Sequence, residues 1–337
     1  MTGAGEFIAV VGAGSWGTAL AVHLGRIGHD VRLWARDPGI VDRIREDREN
    51  PSYLPGVRVP DRVTATGDMS AALAAARFVV FAVPSHGLRA VARSACEAIP
   101  RDAVLVSATK GIEPDSLQRM SQVLAHETGD ARPIVALSGP TFAAEVAQGL
   151  PTVAVAASGQ PAAVVRVQEQ FRGATLRLYG SDDVAGVEIG GAMKNVIAIA
   201  AGVVEGLGLG HNSMAALITR GLAEISRLAA AEGGRRETLA GLSGLGDLVL
   251  TCTGDLSRNR HVGVQLGRGQ SLGDILSGMR MVAEGVRTTG AALALGDRHA
   301  IELPIAAQMA AVLDGRTPPR EAVEALMGRR QKHEVDR

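Results

Sequence analysis

The sequence predicts an α/β protein: a doubly wound sheet of parallel strands in the first half, followed by an all-α region. Three observations predict it. Short apolar runs alternate with helical stretches up to about residue 180. A glycine-rich turn follows the first run. Beyond residue 180 the β-like runs stop and helical periodicity continues alone. Strand–helix–strand alternation is the signature of a doubly wound domain. The 337 residues suit two domains. We place them at 1–181 and 182–328, with a polar tail over 329–337.

The expected strands are residues 7–11, 31–35, 63–66, 78–83, 104–107, 134–137, 153–156 and 176–179. Each is short and apolar on both faces, as parallel strands covered by helices on two sides read. Helices are expected between them, as at 18–27 and 118–126. The second half predicts helices at 182–205, 213–232, 260–266, 285–298 and 304–313. Asp182 and Asp183 are suited to cap the first of these. Hydrophobic residues make up 46% but aromatics only 3%, so the core must be built from Ala, Val, Ile and Leu.

The first strand runs into Gly12-Ala13-Gly14-Ser15-Trp16-Gly17 and then a helix start. In this context Gly12 makes the tight turn and Gly14 lets a pyrophosphate approach the backbone. Gly17 lets the helix sit close to the strand. The free N–H groups of the helix end would face the phosphates. The domain is therefore read as Rossmann-type and dinucleotide-binding. Arg36 and Asp37 close the second strand. An acidic residue there binds ribose hydroxyls, whereas an arginine holds the 2′-phosphate of NADP. Arg36 favours NADP(H) with NAD(H) also accepted; the alternative is a solvated strand-end charge.

The segment 182–205 is apolar around most of its circumference, with Lys194 at its middle and Asn195 beside it. A buried ammonium loses pKa towards working pH, which suits a general acid or base. Otherwise Lys194 reaches the surface along its stem. Asp247, after a glycine-rich stretch, can orient Lys194, bind a substrate hydroxyl or cap a helix. Ser257-Arg258-Asn259 opens another helix, and the planar fork of Arg258 suits a phosphate. The bland reading is a set of solvated side chains. Lys110 follows the fifth strand, and Gly139 and Thr141 follow the sixth. The carboxyl edge of an open sheet is where ligands sit.

Charge excludes other functions. Lys+Arg and Asp+Glu balance at 35 each, so no general field draws nucleic acid or an acidic membrane. Any anion site must be local. Cys96 and Cys252 form no CxxC pair, and the eight histidines show no metal spacing, so no metal is expected. No leader pattern is read at the N-terminus, and the apolar stretch around 196–204 is too short to span a bilayer. A cytoplasmic protein is expected.

Taken in order, GAGSWGTALA, VSATKGIE, SGPTFAAEVAQGLPT, GAMKNVIAIAAG, GLGDLVLTCTGDLSRNRHVG and EGVRT resemble bacterial-type NAD(P)-dependent glycerol-3-phosphate dehydrogenases, from residue 8 to about 290. The resemblance implies a helical domain like the C-terminal domain of 6-phosphogluconate dehydrogenase. It implies that Ser15, Trp16, Arg36 and Lys110 line the cofactor with Ala143 beside them, and that Val282 and Glu284 close on it. Lys110, Gly139 and Thr141 would touch substrate, and Lys194 would exchange the proton. Asp247, Ser257, Arg258 and Asn259 would hold the substrate, Arg258 also near the cofactor. The implied reaction interconverts dihydroxyacetone phosphate and sn-glycerol 3-phosphate for phospholipid synthesis. Met193 replaces a common Leu, and 280–284 is the least typical segment. A hydroxy-acid dehydrogenase of the same plan, which also uses a helix-borne lysine, is the alternative. Apolar faces of the helical region could form a dimer.

Overall fold

The computed structural model describes residues 5–129, 132–279, 281–331, 333 and 334. Arg280 and parts of the predicted tail, including Lys332, lie outside the described residues. The strands are β1 (Phe7–Val11), β2 (Asp30–Trp34), β3 (Val63–Thr66), β4 (Phe78–Phe81), β5 (Val104–Ser107), β6 (Ile134–Ser138), β7 (Thr152–Ala157) and β8 (Leu176–Ser181). Between them lie α1 (Ser15–Arg26), α2 (Pro38–Glu46), α3 (Met69–Leu73), α4 (Ser85–Ala95), α5 (Met120–Thr128), α6 (Ala143–Gln148) and α7 (Pro161–Phe171).

The sheet order is β3-β2-β1-β4-β5-β6-β7-β8. Ile8 and Val10 of β1 face one apolar cluster, and Ala9 and Val11 face another on the opposite side. Phe78 and Val80 of β4 divide from Val79 and Phe81 in the same way. Both faces are dry, so the runs read as continuously apolar. The expected all-parallel sheet needs one correction: β7 pairs antiparallel with β6, and β8 runs parallel to β7. A strand buried on both faces has the same composition whichever way it runs. Its direction depends on the connection, and short α6 does not carry the chain back across the sheet.

After β8 come α8 (Val184–Gly206), α9 (Gly210–Ala231), α10 (Arg236–Leu239), a π-helical turn (Leu242–Gly246), α11 (Asp247–Thr253), α12 (Arg258–Gly267), α13 (Leu272–Ser277), α14 (Glu284–Arg298), α15 (Pro304–Leu313) and α16 (Pro319–Met327). The sequence pattern missed α10, α11, α13 and α16, all of which are short. Asp183 caps α8 by accepting from the Gly186 N–H at 2.8 Å. Asp182 instead pairs with Arg235. Helix α8 is long and apolar enough to cross a bilayer, contrary to the expectation from 196–204 alone, but 94% of its apolar window is buried inside the fold. Helices α9, α11, α12 and α14 pack around it. Helix α12 approaches backbone to backbone, because a Cβ on Gly202 would strike the Arg260 carbonyl and one on Gly263 the Ile199 carbonyl. This contact brings the start of α12 beside the middle of α8.

Candidate active site

The strand order changes direction between β1 and β4, and the crevice at such a switch point is where open α/β sheets bind ligands. The turn 12–17 lies there. Gly12 has φ of +113°, and a Cβ on it would lie 2.8 Å from the Ala82 carbonyl oxygen. A Cβ on Gly17 would run into the Gly12 carbonyl. A Cβ on Gly14 would meet nothing within 4 Å, so the chain presents bare backbone to open space. Helix α1 has no side-chain cap and no acidic residue in its first turn. Its first N–H groups are thus free for an anion. The Trp16 indole N–H is buried without a protein partner. These features fit a dinucleotide pyrophosphate. Arg36 is exposed at the end of β2, and Asp37 is committed to capping α2 through Gly39 N–H at 2.9 Å. The strand end thus offers a cation, and one oxygen of the neighbouring carboxylate is taken by the cap.

At the carboxyl edge of β5 and β6 the two halves of the chain meet around Asp247. Asp247 is fully buried. It is the first residue of α11, and its carboxylate caps nothing: one oxygen accepts from Lys110 Nζ at 2.6 Å, the other from Lys194 Nζ. Lys194 also donates to Thr251 Oγ1 at 2.8 Å, and Thr251 donates to the Asp247 carbonyl at 2.6 Å. Lys194 is 8% exposed, so the snorkelling alternative is not what the fold does. Burial lowers its pKa to about 8; Asp247 opposes the shift and nearby Lys110 reinforces it. Two ammonium groups face one carboxylate, so the protonated cluster keeps a surplus positive charge. Lys110 also donates to the Gly139 carbonyl at 3.0 Å, as does Thr141 Oγ1 at 3.1 Å. The Gly139 carbonyl is thus an engaged acceptor, and the Thr141 proton is spent locally.

Ser257 caps α12 by accepting from the Arg260 N–H at 3.2 Å. Arg258 follows with no hydrogen bond or ion pair among the described residues. Its side chain is exposed at the first turn of α12. Desolvation lowers its pKa, and Glu284 opposes the shift. Asn259 donates to Asn195 Oδ1 at 2.9 Å and accepts from Gly285 N–H at 2.9 Å, tying α8, α12 and α14 together. Only one of its amide protons is left for a ligand.

Glu284 accepts from Ser85 N–H at 3.0 Å and Ser85 Oγ at 2.5 Å, closing α14 onto the start of α4. Glu188 of α8 makes the same pair of bonds with Ser121 at α5, at 2.8 and 2.6 Å, and adds Arg119 at 2.7 Å. Ser15 Oγ contacts Met281 Sδ at 3.1 Å, which lays the segment before α14 over the turn after β1. Val282 lies in that segment, and Ala143 opens α6. Sequence reading missed Thr251, Ser85, Ser121 and Glu188. Their roles depend on partners far along the chain, and no local pattern marks them.

A family model for the N-terminus of NAD-dependent glycerol-3-phosphate dehydrogenase matches residues 7–164, and one for its C-terminus matches residues 183–324. A Koribacter versatilis protein named NAD(P)+ glycerol-3-phosphate dehydrogenase is 52% identical over 332 residues, covering 97% of this chain and 98% of its own. One from a Geobacter species is 50% identical over 331 residues, covering 98% and 99%. The crystal structure of glycerol-3-phosphate dehydrogenase from Coxiella burnetii superposes with a TM-score of 0.93 at 40% identity, covering 96% of this chain and 99% of that one. The chain thus belongs to the NAD-dependent glycerol-3-phosphate dehydrogenase family.

Proposed function

We propose that the chain reduces dihydroxyacetone phosphate to sn-glycerol 3-phosphate with NADPH, and also NADH, and that Lys194 donates the proton. The observation that carries this reading is the buried Lys194 ammonium, held by Asp247 and Thr251 beside Lys110. The reduced nicotinamide, when bound, supplies the hydride. Lys194 Nζ gives a proton to the oxygen that becomes the new alkoxide, and the surplus charge of the cluster stabilises that oxygen beforehand. Asp247 holds both lysines and fixes their direction. Arg258 takes the phosphate, so binding energy remote from the carbonyl aligns it. Ser257 and Asn259 hold the start of α12 in place, and Asn259 keeps one amide proton for the substrate. Gly12, Gly14 and Gly17 accept the pyrophosphate, Ser15 and Trp16 line it, and Arg36 takes the 2′-phosphate.

The same reading carries a cytoplasmic supply of glycerol phosphate for lipid synthesis. It also carries two domains meeting near residue 182, and a homodimer through the helical half. Light scattering across a concentration series tests the dimer.

Purified protein with dihydroxyacetone phosphate should consume the reduced-nicotinamide absorbance, faster with NADPH than with NADH. Binding of both cofactors without turnover would sink the substrate assignment and favour a hydroxy acid.

A further inference from the structure

Two serine–glutamate joints fasten the helical half to the sheet half, and their surroundings differ. At the first, Ser121 N–H and Oγ both bind Glu188, and Arg119 neutralises the carboxylate. Glu188 is 8% exposed. At the second, Ser85 N–H and Oγ both bind Glu284, with no arginine hydrogen-bonded to that carboxylate among the described residues. Helix α4 has neither a side-chain cap nor an acidic residue in its first turn. Glu284 therefore supplies from another part of the chain the negative charge that a helix N-terminus favours.

Position gives the second joint its consequence. Ser15 opens the helix after β1, and Ser85 opens the helix after β4. These two helix starts flank the switch-point crevice. Met281 touches the first and Glu284 the second, so the segment 281–284 crosses the crevice mouth. A dinucleotide entering or leaving must displace that segment.

We propose that the Ser85–Glu284 pair is a latch on this segment and that Ser85 is a positioning residue that sets the rate of cofactor exchange, while Ser121–Glu188 is a fixed anchor about which the latch opens. This rests on the crevice being the cofactor site. The pair is closed in this structure, and the proposed effect of its loss is on rates of entry and release. Ser85→Ala removes one hydroxyl and keeps the backbone bond to Glu284.

The experiment is stopped-flow displacement of bound NADPH by excess NADP+, read by nicotinamide fluorescence, on wild type and three variants. Ser85→Ala should release NADPH about tenfold faster, the scale of one hydrogen bond to a carboxylate. Glu284→Gln should move the same way. Ser121→Ala should lower the melting temperature and leave release unchanged. Release from Ser85→Ala within about twofold of wild type would overturn the latch. Equal acceleration by Ser121→Ala would also overturn it, since any loosening of the seam would then suffice. A wild type that shows no NADPH binding sinks the cofactor reading itself, an outcome separate from either.

Discussion

Glu188 and Asp247 are both buried carboxylates at the seam between sheet and helices, and both hold cations from across it. Glu188 meets Arg119 and the two donors of Ser121. A guanidinium and a serine hydroxyl are not proton donors of the kind a reaction near neutral pH uses. Asp247 meets Lys110 and Lys194, with Thr251 beside them. Crowding two ammonium groups out of water brings Lys194 down to about 8. One seam carboxylate thus fastens, and the other holds a proton that can leave. The lesson is that burial and ion pairing do not by themselves mark a catalytic group; the ability of the partner to titrate does.

The largest test of that difference is Lys194→Ala, which should lower kcat by about 10²–10⁴-fold. Steady-state rates with kcat retained within about threefold of wild type would erase the distinction. Next comes Glu188→Ala, which leaves the part-buried Arg119 without its ion-pair partner. Urea denaturation should show a loss of about 3–5 kcal/mol, while kcat of the folded fraction stays the same. An equal loss of kcat would make Glu188 part of the reacting centre.

The smallest effect is the pH profile. In the proposed reaction ketone reduction needs Lys194 protonated, and burial brings its pKa down to about 8. The reduction kcat should be level below that pH and fall about tenfold per unit above it, while the reverse oxidation rises through the same midpoint. A flat reduction profile from about pH 7 to 10 would remove Lys194 as the donor.

Much of this was legible in the residues. The strand, turn and helix over 7–26 follow from local pattern, because Gly17 answers a contact with Gly12 in the same unit and Gly12 one with Ala82, just past the adjacent strand β4. A lysine amid an all-round apolar helix had to be buried or to escape, and both outcomes were visible in advance. Asp247 was read equally well as a cap, because a carboxylate at a helix start looks the same whichever partner it meets. The direction of β7 was also hidden, since Val155 and Ala156 are buried on opposite faces in either orientation.

What the sequence determined alone is therefore local: where strands and helices form, which turn presents bare backbone and which helix is wet on no side. These properties depend on residues within one or two turns of each other. What only the tertiary structure decided is who meets whom. Lys194 finds Asp247 from 53 positions away, Lys110 finds it from 137, and Ser85 finds Glu284 from 199. A pKa and a buried ion cluster are sums over neighbours in space, and those neighbours exist only once the halves have packed.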